Sequence, residues 1–263
     1  MRALLGAFRV ETRPGEAPRQ RAWPQLLLAA GALALYEVAH LLTGDHRGGA
    51  LEHARQVLGF ERFFGIDWEH AAQNFTLHND VLRTWGNGLY TWMYWPVIIG
   101  ALIFTWHFDR RHYAILRDGM ILSGVLGLFV FIFYPVAPPR MLPHFTDTIA
   151  VGSLEHSVVH GAIADSYAAL PSFHVGWVAL GAVVLALSAS RSMTSLGRSL
   201  ALLLAVTATA IMTAAVVVTA NHFVVDALSG IVLCLLCGAV AYRLHPVPSS
   251  SGNLAGAVTQ PRD

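Results

Sequence analysis

The sequence predicts an all-α integral membrane protein with six transmembrane helices and an outer interfacial amphipathic helical segment. Three observations predict it. Of 263 residues, 55% are hydrophobic and 13% are charged, about half the charge of an average soluble domain. Mean hydropathy is +0.52. Apolar runs long enough to cross a hydrocarbon core of about 30 Å recur along the chain.

The elements follow in order. Residues 1–23 form a basic leader with Arg2, Arg9, Arg13, Arg19 and Arg21. The first span is expected at 24–43. Its rival is a signal peptide, with Ala32-Leu33-Ala34 as a cleavage-like stretch. The length of the leader, and Glu37 and His40 at the far end, favour a retained helix whose polar pair bonds to a neighbouring helix. Next, Phe60-Glu61-Arg62-Phe63-Phe64-Gly65-Ile66-Asp67-Trp68-Glu69 mixes apolar and charged residues at helical spacing. It reads as amphipathic helix on the membrane surface, with Glu61 and Arg62 an exposed pair. Tyr90, Trp92, Tyr94 and Trp95 open the second span, 87–106, as an interfacial aromatic belt, with the lining of a lipid headgroup pocket as the alternative. The third, fourth, fifth and sixth spans are expected at 115–135, 171–189, 199–219 and 222–242. The last two are joined so closely that they read as a tight antiparallel hairpin. One membrane domain thus covers 24–243, and a disordered tail rich in Ser, Gly and Pro covers 244–263. Cys234 and Cys237 lie inside the sixth span and read as small packing residues.

Arginine sets the orientation. The chain has no lysine, and its 17 basic residues are all arginine, as in a GC-rich bacterial genome. Twelve fall on the side of the leader, the second-to-third and fourth-to-fifth connections, and the tail. Five, namely Arg47, Arg55, Arg62, Arg83 and Arg140, fall on the other side. Both termini are therefore expected in the cytoplasm of a bacterial cell, with the loops at about 44–86 and 136–170 facing outward. His174 at the start of the fourth span, His222 at the start of the sixth and Arg140 just past the third then share the outer face.

Ionisable residues at the mouth of membrane helices are costly unless used. Asp226 sits four residues after His222, one helical turn on. On a phosphate ester, His222 suits the nucleophile and Asp226 the partner of its other ring nitrogen. His174 suits the acid for the leaving oxygen, and Arg140 offers a fork of donors for phosphate. Ser172 suits a helix cap or a phosphate donor, and Asn221 a neutral donor. Glu155, His156 and His160 are spaced like metal ligands but read as a solvated loop. No metal or other cofactor is called for.

Pro171-Ser172-Phe173-His174 and Asn221-His222-Phe223-Val224-Val225-Asp226, with Tyr134-Pro135-Val136-Ala137-Pro138-Pro139-Arg140 before them, resemble the motifs of the type 2 phosphatidic acid phosphatase superfamily. They look most like its branch of inositol phosphorylceramide synthases and bacterial relatives. The resemblance covers about 60–242. It implies a six-helix core and a metal-independent phosphohistidine mechanism. His222 would be the nucleophile, Asp226 its orienting partner, His174 the acid and Arg140 a phosphate ligand. Three departures narrow the substrate. There is no lysine before Arg140, Val216 stands where an arginine precedes the nucleophile, and Phe173 replaces a glycine. With Arg140 the one assigned cation, a phosphodiester is favoured, unless Arg62 or Arg83 joins it. The expected partners are a membrane lipid with a phosphate headgroup and an alcohol or polyol acceptor, with no nucleic acid. A lipid phosphate or polyprenyl phosphate phosphatase is the alternative. A transporter would show inverted repeats and broken mid-membrane helices, which the sequence lacks. A haem or metal protein would pair histidines inside facing helices, whereas these lie at helix ends.

Overall fold

The computed structural model describes residues 47–149, 167–189 and 194–246. The leader, the first expected span with Glu37 and His40, the Glu155–His160 stretch and the tail from 247 lie outside them. The described elements are α1 (Arg47–Phe64), α2 (Glu69–Leu77), α3 (Asp80–Gly88), a π-helical turn (Leu89–Met93), α4 (Tyr94–Phe108), α5 (Arg110–Phe133), a 3₁₀ turn (Pro139–Met141), α6 (Phe173–Ala189), α7 (Ser195–Val218) and α8 (Val224–Leu244). Among the described residues the chain is helical, with one isolated parallel bridge between Val136 and Ala168.

Four described segments are long and apolar enough to cross a membrane: Asp80–Phe108, Arg110–Phe133, Ser195–Val218 and Val224–Leu244. The apolar α6 has only 17 residues. The segments Asp80–Phe108, Arg110–Phe133 and Ser195–Val218 begin earlier than hydropathy suggests because their polar first turns are capped. Asn79 accepts from the N–H groups of Val81 and Leu82, Asp109 from that of His112 and Thr194 from that of Gly197.

Helix α6 is the centre. It packs against α4, α5, α7 and α8, burying Val175, Val178, Leu180 and Val184. The expected hairpin of the last two helices is corrected here. Their link is short, but α7 packs chiefly against α6, α8 packs against both α6 and α5, and the two touch each other little. A short connection constrains only the ends of two helices. Further along, packing of their faces decides, and both faces fit α6.

The expected exposed pair of Glu61 and Arg62 is also corrected. Glu61 and Glu69 are fully buried, whereas Phe60, Phe63, Phe64 and Trp68 are exposed. Arg62 pairs not with Glu61 but with Asp67, at 3.7 Å. The physical reason is a stripe of small residues. Ala50, Ala54 and Val57 are buried on α1, and Glu61 lies next on that face.

Loops then draw one end of the bundle together. The N–H of Val136 donates to Tyr167 O, and that of Ala169 to Val136 O. The N–H of Ala137 donates to Ala50 O, and that of Arg140 to Ala220 O. Ala220, at φ 52, turns the chain left-handed just after α7.

Candidate active site

The site forms where α5 ends, α6 begins and α7 passes into α8. His222 lies two residues before α8, in a turn whose N–H groups at Asn221 and His222 both donate to Val216 O. Val216, at the position of the missing arginine, is a buried core residue whose carbonyl shapes the His222 loop. His174 lies in the first turn of α6. The two rings are 5.8 Å apart, centre to centre. Tyr90 stacks on His174 at 4.7 Å and Tyr94 meets it edge-on at 4.6 Å. The aromatic quartet therefore divides: its tyrosines wall the site, and Trp92 and Trp95 are exposed.

His222 Nδ1 lies 2.8 Å from Ala169 O and 3.6 Å from Asp226 Oδ2. A carbonyl only accepts, so the proton sits on Nδ1 and Nε2 carries the lone pair. Asp226 is N3 of α8, and its Oδ2 accepts from the N–H of Phe223 at 2.9 Å, one arm of a capping box. The helical-turn account of this pair needs correcting, since His222 precedes the helix. Asp226 is held by the helix start and presents its charge to the ring from there.

Arg140 reaches the same place from the loop after α5. Its Nη1 donates to Asn221 Oδ1 at 2.5 Å, and its Nε lies 3.3 Å from Asp147 Oδ2. Asn221 Nδ2 donates to Thr219 Oγ1 at 2.8 Å. In this arrangement Asn221 orients Arg140, and both ends of its amide are engaged. The N–H of Ser172 donates to Asp226 O at 2.9 Å, and Ser172 O accepts from Gly176. Its hydroxyl is buried without a partner and makes no cap bond. Phe173 turns from the site to stack on Trp177 at 4.8 Å, with its edge toward Phe131.

Arg62 and Arg83 each have a carboxylate partner, Asp67 and Asp80. Arg140 is the arginine that the fold brings to the histidines. Arg62 also lines a cleft of about 500 Å³ with Arg55, Asp67, Glu69, His70 and His144. Among the described residues no group of three or more His, Cys, Asp or Glu side chains is placed to hold a metal ion.

Sequence reasoning missed three contributors. One is the carbonyl of Ala169, which no residue code reveals. The others are Glu61 and Glu69. Val225 N–H donates to Glu61 Oε1 and Val224 N–H to Glu69 Oε1, both at 2.7 Å. The N–H groups of the cap residue Phe223 and of the first two residues of α8 thus meet three carboxyl groups, where the helix dipole favours negative charge. The buried stripes of α1 and α2 carried the signal, since Glu69, Gln73 and Thr76 share one buried face.

No curated protein and no solved structure matches the chain. A family model does, over residues 55–240, and its description is the PAP2 superfamily. Membership points to phosphatase or phosphotransferase chemistry on lipid phosphates. The match takes in every residue of the site just described and most of the sequence, and on that ground the chain belongs to the PAP2 superfamily.

Proposed function

We propose that this protein is a metal-independent lipid phosphotransferase acting at the outer face of the membrane, on a phosphodiester substrate, as in the inositol phosphorylceramide synthase branch. The observation that carries the reading is the set tautomer of His222, beside His174 and an arginine braced by Asn221. His222 Nε2 attacks phosphorus. The P–N bond forms as the P–O bond to the leaving group breaks, and His174 gives its proton to the departing oxygen. Positive charge on the phosphorylated ring is met by Asp226 and by the bond from Nδ1 to Ala169. Arg140 holds the phosphoryl oxygens, exchanging Asp147 for substrate. An alcohol then attacks phosphorus, gives its proton back to His174, and releases Nε2. A single cation suits a singly charged diester better than a dianionic monoester, which is why transfer is favoured over simple phosphatase action.

The test uses purified protein in detergent with labelled lipid phosphodiesters and monoesters, with and without EDTA. Wild type should turn over a diester in EDTA and pass the phosphoryl group to an added polyol. His222→Ala should lose about a thousandfold or more. Turnover abolished by EDTA, or kept by His222→Ala, rejects the phosphohistidine. Turnover of monoesters alone, with water the only acceptor, returns the protein to the phosphatases.

A further inference from the structure

Glu61 and Glu69 come from different helices, and both are fully buried. Each spends one oxygen on the N-terminus of α8, two and three residues beyond His222. Their second oxygens, Oε2 in both, are buried without a donor, and the two side chains are within hydrogen-bonding reach of each other. Two carboxylates facing each other out of water cannot both stay charged. A single proton resolves the contact, since one Oε2–H then donates to the other Oε2 and the pair carries one negative charge. That charge faces the positive end of α8.

We propose that Glu61 and Glu69 are positioning residues that share one proton and, through the first N–H groups of α8, hold the His222 loop in its working place. The groups around them agree. Burial, with Glu69 from α2 and Asp226 from α8 adding their charge, pushes the Glu61 carboxyl up to about 9. Burial raises Glu69 as well, again with Asp226 adding to it. On the cleft side of Glu69 stand Arg55, Arg62, Asp67, His70 and His144, of which Arg55 and Arg62 pair with Glu52 and Asp67. Loss of the shared proton puts a second negative charge beside Asp226. The pair then repels, and the loop it anchors moves.

Linkage sets the sign. A raised acid holds its proton in the folded state and loses it in the unfolded one. The resulting stability is complete below the ordinary carboxyl range near 4.5, falls as pH rises, and is gone above about 9. Glu61→Gln keeps an oxygen for Val225 and an N–H for Glu69, and so fixes the pair at one negative charge.

The activity arm rests on the proposed function, and the unfolding arm does not. Turnover of a labelled lipid phosphodiester and thermal unfolding are followed from pH 6 to 10 in detergent, for wild type, Glu61→Gln and Glu61→Ala. Wild-type turnover should fall with a midpoint near pH 9, and its unfolding temperature should decline up to that pH and then level. Glu61→Gln should lack that fall and that decline, and should restore most of an activity that Glu61→Ala reduces tenfold or more. The same alkaline midpoint in Glu61→Gln overturns the shared proton, as does wild-type behaviour of Glu61→Ala. If no diester is turned over yet the unfolding profiles differ as stated, the function fails and the proton pair stands. If Glu61→Ala does not fold, the Glu61→Gln profiles decide.

Discussion

His222 separates two tasks that a histidine–aspartate pair usually combines. The carbonyl of Ala169, at 2.8 Å, sets the tautomer, and Asp226 Oδ2, at 3.6 Å, supplies charge. Asp226 also caps Phe223. Asp226→Asn keeps an acceptor for that N–H and removes the charge. The turnover number should therefore drop about a hundredfold or more, while the unfolding temperature stays near wild type. An equal fall in both would make Asp226 a cap alone. At this scale the sequence singled out residues that the fold brings together, because histidine and arginine at helix ends are rare and costly. It could not name Ala169, whose contribution is backbone, nor the task of Asn221, which depends on Arg140 being brought 81 positions along the chain to its side.

The element that sets the site is the crossing of α6 and α8. A Cβ on Gly230 would come within 2.1 Å of Ser172 O, and one on Gly176 within 2.5 Å of Gly230 O. This close approach lets the Ser172 N–H reach Asp226 O. Gly230→Ala should push the start of α6 off α8, costing about 1–3 kcal/mol and most of the turnover. Gly100→Ala, on α4, meets nothing within 4 Å and should be neutral or slightly stabilising. Unfolding in detergent with parallel assays checks both, and equal behaviour of the two variants would remove the crossing from the account. Hydropathy made these helices legible but not their neighbours, because a uniformly apolar run such as α6 has no face to read. Glu61 was misplaced for a related reason. Local alternation suggested a wet face, whereas the stripe through Ala50, Ala54 and Val57 runs inward.

Across the whole molecule, the three motifs gather at one end of the bundle. At another cluster, Ser188 donates to Asp109 and His245 joins Asp118. Arginine counting predicts that the motif end faces outward. A membrane-impermeant thiol reagent on intact cells tests it, since Cys234 and Cys237 are buried. His78→Cys should label at once and Ser195→Cys only after permeabilisation, and the reverse order would invert the protein. The helix order and the gathering of the motifs were legible because spans must alternate. The link between α1, α2 and α8 was not, because it joins residues more than 150 positions apart. The short α6 has a consequence of its own. Seventeen residues rise about 25 Å, roughly a turn less than the hydrocarbon thickness of about 30 Å. In a bilayer that α6 crosses, unwound chain would make up the depth, and such backbone survives there only when sheltered by protein. Ala169, Pro171 and Ser172 are sheltered in this way. On the proposed function, His174 and His222 would then sit below the bilayer surface at ester level, where a lipid could offer its phosphate sideways without leaving its leaflet.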